Sequence, residues 1–389
     1  MGVTLRVLFV SDTHLGFDLP ARPRVDRRRR GPDFFACFAR ALEPARRGEV
    51  DVVVHGGDLL FRSRVPVSLV HRALAPLLRV ADAGVPVFLV PGNHERSAIP
   101  YPLLAVHEKL HVFRAPSTAV VEWRGLRVAF AGFPYARDVR RAFPALLDAT
   151  GYRRTEADAR VLCIHQCVEG ATCGPPPGFT FRDGEDVVRA ADLPGDVAVV
   201  LSGHVHRHQV LRRDLCGRPL PAPVVYAGSV ERTSFAERDE TKGFVLATVA
   251  AGGAGGQLEA CELRPLPARP MRVLDIAQWA DPSTLEAEIR SAVAASPPDV
   301  VLQVRVSEAL AGAEALRAER LRTIAPASAN VTVSVRGQPR LRPVIEALDG
   351  DGSQGRGAII SSQQRSARPA MVRRGFTPSD AGTIDPSIT

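Results

Sequence analysis

The stretch Leu5-Arg6-Val7-Leu8-Phe9-Val10-Ser11-Asp12-Thr13-His14 decides how the rest of this chain reads. Val7 to Val10 is apolar without alternation, rich in β-branched and aromatic side chains, and of strand length. Both faces of such a strand are expected to be covered, as in layered α/β folds. The run stops on Asp12-Thr13-His14, which sets a carboxylate and an imidazole at a strand end. Open α/β sheets bind their ligands at that edge.

Working outward, the same pattern returns four times. Residues 50–55 lead into Gly57-Asp58, residues 85–90 into Gly92-Asn93-His94-Glu95, residues 160–165 end on His165, and residues 197–202 lead into Gly203-His204-Val205-His206. Further strands are predicted over 118–123, 126–132, 224–227 and 244–249, the first two joined by an Arg124-Gly125 hairpin turn. Val67, Val70, Leu74, Leu77, Leu78 and Ala81 recur at helical spacing, with Gly84 as a stop. Asp33 reads as the cap of a helix carrying Phe34, Phe35, Phe38 and Leu42.

A break follows, with a Gly/Ala linker or loose hairpin over 250–257 and three prolines in 263–270. Beyond it the pattern predicts strand 272–276, helix 282–294, strand 300–306, helix 310–322 and strand 330–335, a small α/β module. The expected organisation is a catalytic domain over 1–266, the module over 267–340 and a disordered tail over 341–389. That last segment is rich in Gly, Ser, Gln and Arg and has no sustained periodicity.

Composition narrows the class. The chain has 389 residues, 45% hydrophobic and 6% aromatic, as in globular proteins with a sizeable core. No apolar run approaches the length needed to span a bilayer, so no membrane association is expected. The amino terminus has no basic segment before its apolar run and reads as a strand, not a signal peptide. Six cysteines without Cys-x-x-Cys spacing fit a reducing compartment, and a cytoplasmic setting is expected. The net charge of +8 suits a polyanionic partner. Only Lys109 and Lys242 are lysines, in a chain also rich in Ala, Pro and Gly, so compositional bias shares in that charge.

The five polar motifs carry the chemistry. Asp12 offers a hard oxygen and His14 a borderline nitrogen; Asp58, set after Gly56-Gly57, can bridge two cations. Asn93 adds a neutral carbonyl oxygen, and His165, His204 and His206 add imidazoles. Singly, each histidine would be a packed or surface residue and each motif weak. Five in this order, all at strand ends, form a set that predicts two divalent metal ions. An oxygen/nitrogen set without thiolate favours manganese, iron or zinc over a soft metal and does not choose among them; Mn2+ is the expected ion, with Fe2+ or Zn2+ as alternatives. Paired cations offset phosphate charge and acidify water, so phosphoester hydrolysis is the expected reaction.

These residues resemble the calcineurin-like metallophosphoesterase superfamily, an α/β, layered metallophosphoesterase fold with a central β-sandwich flanked by helices. Tyr226-Ala227-Gly228-Ser229-Val230-Glu231-Arg232-Thr233-Ser234-Phe235, followed by Lys242-Gly243-Phe244, resembles the SbcD-type DNA repair exonuclease. The resemblance spans residues 4–249 and, more loosely, 271–336, where it implies a small C-terminal α/β capping module. It implies a nuclease that is exonucleolytic on duplex ends and endonucleolytic on single strands. One metal would be held by Asp12, His14, Asp58 and His206, the other by Asp58, Asn93, His165 and His204. His94 would be catalytic, donating a proton to the leaving oxygen or holding the phosphate. DNA, an SbcC-type ATPase subunit and a homodimer through residues 67–81 and 101–110 are the implied partners.

Some features depart from the family or stand beside it. Phe61 occupies the place of a second histidine, and the neighbouring Arg62 and Arg64 become candidate phosphate donors. After Arg342 no amphipathic helix of the ATPase-docking kind is evident. Arg28 and Arg29, in an arginine-rich loop after His14, are further candidate DNA contacts, or else part of a solvated loop. Cys163, Cys167 and Cys173 surround His165 at spacings that read as buried thiols, not zinc ligands. His55 reads as a support for Asp58. Two other functions stay open: a phosphodiesterase or phosphatase on nucleotides or other small phosphate esters, and a catalytically silent scaffold. Gly228 to Arg232 and the module argue against the first, and the complete ligand set against the second.

Overall fold

In the computed structural model the opening run forms strand Thr4–Val10, and its side chains divide between two cores. Leu5, Val7 and Phe9 face a second sheet, whereas Leu8 and Val10 face helices. This division follows from the two-residue repeat of a strand, which sends successive side chains to opposite faces. The structure describes residues 2–18, 29–95, 106–276, 281 and 284–335. All lie within Met1–Leu348, the first of two units into which the chain divides; the second, Asp349–Thr389, lies outside the described residues.

Two six-stranded sheets stack face to face. The first runs in the order Gln257–Pro265, Gly243–Ala250, Thr4–Val10, Val52–His55, Val87–Leu89 and Leu110–Val112. Its last four strands are parallel, and the two carboxyl-terminal ones add antiparallel at the other edge. The second sheet runs Gln209–Arg213, Pro219–Tyr226, Val199–Ser202, Ala159–Ile164, Leu126–Gly132 and Ser117–Trp123. Its middle four strands are parallel and its edge strands antiparallel.

Phe9, Val54 and Phe88 of the first sheet meet Phe130, Val161 and Leu201 of the second between the layers. Outside the first sheet pack Phe34 and Phe38 of helix Gly31–Ala41 and Val70, Leu74 and Leu77 of helix Val67–Asp82. Outside the second pack Val139, Phe143 and Leu147 of helix Val139–Ala149. Each such buried side chain contributes about 1.5–3 kcal/mol relative to exposure. The result is the layered α/β sandwich flanked by helices that the family resemblance implies.

A third, parallel sheet of Met271–Asp275, Val301–Val306 and Asn330–Val335 has a separate core with Leu285 and Ile289 of helix Leu285–Ala294. Arg269 ties it to the sandwich. Its guanidinium reaches Asp33 Oδ2 at 3.2 Å, Asn330 Oδ1 at 2.7 Å and the Asp299 and Ser328 carbonyls at 2.8 Å. Its backbone N–H donates to Glu231 Oε2.

Several local expectations are corrected. Asp33 is not a cap: the helix starts at Gly31, Pro32 suits its first turn, and the Asp33 carboxylate is taken by Arg269. The helix expected over 310–322 is two 3-10 turns, Glu308–Leu310 and Glu314–Leu316, and a short helix Ala318–Ile324. Gly312 weakens a continuous helix by about 1 kcal/mol, and the broken path buries Leu310, Leu316 and Leu321 in the module core. Of the two readings of 250–257 the hairpin is the one found, and the strand it leads into, Gln257–Pro265, was hidden by its half-exposed edge position. Helix Val139–Ala149 is hidden in the sequence by its internal Pro144. The Arg124-Gly125 turn has both residues at positive φ, 52° and 85°, as a two-residue hairpin requires. Among the described residues no helix is long and apolar enough to cross a membrane.

Candidate metal centre

Parallel strands end at one edge of a sheet, so the loops that leave them gather there. Asp12 and His14 follow Thr4–Val10, Asp58 follows Val52–His55, and Asn93 opens a 3-10 turn after Val87–Leu89. His165 follows Ala159–Ile164, and His204 and His206 follow Val199–Ser202 in the other sheet. The structure brings all seven together, with His94.

Three overlapping groups of donors result, with ligand atoms within 4.8 Å of one another: Asp12, His14 and His206; His14, Asp58 and His94; Asp58, His165 and His204. Asp58 faces both sides. Its Oδ1 lies 3.5 Å from His165 Nε2, and its Oδ2 3.7 Å from His94 Nε2 and 3.9 Å from His14 Nε2. Asn93 Oδ1 lies 3.1 Å from both His165 Nε2 and His204 Nδ1.

The donor set fits divalent cations. His165 Nδ1 lies 2.7 Å from the Gly56 carbonyl, which fixes a proton there and aims the Nε2 lone pair at Asn93 Oδ1 and Asp58. Three acceptors facing one another require a positive charge among them. Without metal the ring supplies it: burial works against the charge, but Asp58 and Asp12 raise His165 to about 9. His204 is left neutral, pushed down to about 3 by burial and by the His165 charge. Burial opposes ionisation of Asp58, yet His94, His165 and His14 hold its carboxyl well below the usual range.

The backbone around these donors is also unusual. Among the described residues six non-glycine positions have positive φ, and four are here: Asp12, His14, Asp58 and His204. Such conformations cost about 1–3 kcal/mol each and persist where the surroundings over-determine them. Two glycines let the loops approach. A Cβ on Gly92 would fall 2.2 Å from Asp58 Oδ1, and one on Gly203 would fall 2.2 Å from the Gly56 carbonyl.

Further residues stand behind the ligands. His55 Nδ1 accepts the Gly57 N–H at 3.2 Å, so its Nε2–H donates to Thr13 Oγ1 at 3.1 Å, and Thr13 donates to the Leu59 carbonyl. Burial first, then the His165 charge, pushes His55 down to about 3. Sequence reasoning gave Glu95 no role, although it ends the quoted Gly92 motif. Its two oxygens accept the Leu60 and Gly92 N–H groups, both at 2.7 Å, and tie two ligand loops together. Burial and the Asp58 charge raise it to about 8. Glu237, also unassigned, lies 3.1 Å from His206 Nδ1; only its place between two quoted motifs hinted at it.

The arginines divide. Arg62 lies over the ring of Phe61, which in turn packs edge-on to His14, 5.9 Å between centroids. Arg64 is exposed. Arg29 is committed to Asp18 at 2.8 Å, and Arg28 lies outside the described residues, as do Arg22, Arg24 and Arg27. Arg30 turns inward to the Arg232 carbonyl and the Phe17 ring. Cys163 and Cys167 are buried, Cys173 is half-buried, and none joins a donor group among the described residues.

Comparison with known proteins gives matching results. Residues 5–208 match the family described as calcineurin-like phosphoesterase. The DNA double-strand break repair protein Mre11 of Haloferax volcanii is 31% identical over 240 residues, 60% of this chain and 47% of that protein. Mre11 of Aeropyrum pernix is 28% identical over 239 residues, 58% and 53% of the two chains. Mre11 of Saccharolobus solfataricus is 24% identical over 218 residues, 54% and 51%. The chain spans about half the length of these curated relatives.

Proposed function

The chain belongs to the calcineurin-like phosphoesterase family, and from that premise we propose that it is a two-metal DNA nuclease acting in DNA repair. The observation that carries the reading is Asp58, whose two oxygens face separate histidine groups and so suit a ligand shared by two cations. The relatives named for double-strand break repair direct it to DNA. Asp12, His14, Asp58 and His206 would hold one cation; Asp58, Asn93, His165 and His204 would hold the other. Manganese is our choice of metal; the oxygen/nitrogen donor set suits it, as it suits iron or zinc. When bound, such a pair supplies Lewis-acid neutralisation of phosphate oxygens and acidified water at neutral pH.

The chain's own residues do the rest. His94 is held by its backbone N–H on Asp58 Oδ1 at 3.0 Å and by Nδ1, 2.6 Å from the Phe61 carbonyl. With the Nδ1 proton committed there, Nε2 is the atom that exchanges a proton with the leaving oxygen of the phosphodiester. The Phe61 ring stands where the resembling family carries a second histidine, so phosphate guidance there passes to exposed Arg62 and Arg64. The overall charge of +8 draws a polyanion to the protein.

The remaining assignments follow the same reading. Residues 1–266 form the nuclease domain and residues 267–340 the module that shapes access to it, supported by the Arg269 clamp. The tail over 341–389 lies outside the described residues. An SbcC-type ATPase partner and a homodimer belong to the proposal through the family resemblance; of the dimer segments, residues 101–105 lie outside the described residues. A cytoplasmic setting is supported by six free cysteines.

The test is an assay of the purified chain with manganese on end-labelled duplex DNA, circular single-stranded DNA, cyclic nucleotides and a chromogenic phosphodiester. Cleavage of DNA is expected. Activity confined to the last two substrates overturns the nuclease reading in favour of a small-ester phosphodiesterase.

A further inference from the structure

Behind His206 lies a buried ionic cluster built from one loop. Glu237 Oε1 is 3.1 Å from His206 Nδ1 and also accepts from the Thr233 hydroxyl. Glu237 Oε2 is 2.6 Å from Lys242 Nζ and 3.2 Å from the Ser229 hydroxyl. The Lys242 side chain is fully buried, and Nζ donates further to Glu240 Oε2 at 2.9 Å and the His206 carbonyl at 3.0 Å. Resting on the two-cation reading above, we propose that Glu237, locked by Lys242, is the positioning residue of His206 and sets the affinity of one cation site, the one nearest Asp12 and His14.

Orientation is the first argument. An imidazole offers a cation one lone pair, and the hydrogen bond at its other nitrogen decides which. With the proton on Nδ1 held by Glu237, His206 Nε2 faces His14 Nε2 at 2.9 Å and Asp12 Oδ1 at 3.9 Å. Any rotation of the ring would turn that lone pair away from the other two donors.

Charge is the second. His165 and His94 bond backbone carbonyls through Nδ1, at Gly56 and Phe61. Among the described candidate residues only His206 has a carboxylate on its outer nitrogen. A carboxylate raises the basicity of the ring more than a neutral carbonyl does, so its effect is confined to the cation His206 would touch.

The third is the choice of cation. Of 50 basic residues only two are lysine, yet a lysine stands here. Three acceptors at 2.6, 2.9 and 3.0 Å surround Nζ. An ammonium presents three donors around a point and fits them, whereas a guanidinium spreads its donors in a plane. Lys242 thus keeps the Glu237 carboxylate charged and stops it from rotating.

The test is manganese titration of the metal-free protein, with free Mn2+ counted by electron paramagnetic resonance, for wild type and Glu237→Gln. Glutamine keeps the size; with its one acceptor oxygen on Lys242 and Ser229 the loop stays pinned, while its NH2 meets His206 Nδ1 as a donor in place of the carboxylate. The proposal expects one site at wild-type affinity and the other weakened about 10–100-fold. Two unchanged sites, or two equally weakened ones, overturn it. Wild type binding fewer than two Mn2+ overturns the two-cation reading itself, so the two failures are distinct. A measurement on wild type covers a variant that does not fold. Nitrogen-15 shifts of His206 in metal-free protein in alkaline buffer should report the Nδ1–H tautomer, and an Nε2–H tautomer overturns the proposal.

Discussion

The Nε2 atoms of His14 and His206 lie 2.9 Å apart, although the residues are 192 positions apart in the chain. Two imidazole lone pairs at that separation repel unless a proton or a cation lies between them. His14 Nδ1 is buried and has no hydrogen-bond partner among the described residues. Both histidines belong, with Asp12, to one of the three donor groups, so a cation seated there would relieve the repulsion. Adding manganese to the chelator-treated protein should raise its unfolding temperature by several degrees, because a ligand at a hundred times its dissociation constant stabilises by about 2.7 kcal/mol. Calorimetric scans with and without chelator test this; identical midpoints would sink the two-cation site.

His94→Ala should separate chemistry from metal holding. His94 belongs to neither proposed ligand set, and its ring is fixed by the Phe61 carbonyl at 2.6 Å. Turnover of a phosphodiester should fall by about 10²–10⁴, with manganese stoichiometry unchanged. Full activity in the variant would remove the proton-transfer role.

His55 makes the metal-free fold sensitive to acid. Burial depresses it to about 3 in the folded chain, against 6.5 as its ordinary value. A depressed value means the unfolded chain binds the proton first, so this contribution is complete above about pH 6.5 and is lost as pH falls toward 3. Over that window each pH unit costs about 1.4 kcal/mol from this one group. His55→Gln should lower stability at neutral pH and flatten its decline in acid by that slope. Urea unfolding across the window gives the measurement, and parallel wild-type and variant curves would refute it.

Arg269→Met should loosen the carboxyl-terminal module first. The variant leaves Asp33 and Asn330 without this partner, and the Asp33 carboxylate, 4% exposed, stays shielded from water. Breaking a buried pair from one side costs about 3–5 kcal/mol. Amide exchange in strand Asn330–Val335 should quicken by two to three orders of magnitude, about tenfold per 1.4 kcal/mol. An unchanged exchange rate there would mean Arg269 does not clamp the module.

The strands that carry the site were legible because they are short, mostly apolar and stopped by polar motifs. Thr4–Val10 and Ala159–Ile164 need no tertiary knowledge to be read. Strand Gln257–Pro265 was not, since an edge strand buries only part of one face and its sequence looks like a linker. Helix Val139–Ala149 carries Val139, Phe143 and Leu147 at the right spacing, but Pro144 masks it. Glu95 and Glu237 were missed for a related cause. A buried glutamate is spelled like an exposed one, and only its partners, the Gly92 N–H and His206 Nδ1, give it a role.

The sequence alone named the candidate donors: two aspartates, one asparagine and four histidines, each just past a buried strand. Strand patterning and ligand chemistry are local properties, so they can be read locally. The tertiary structure decided which nitrogen of each imidazole faces the site, which oxygen of Asp58 serves which group, and which charges lie behind them. Those are set by distances between residues as far apart as His14 and His206 or Asp33 and Arg269, and hydrogen bonds at that range exist only once the two sheets and the carboxyl-terminal module have packed.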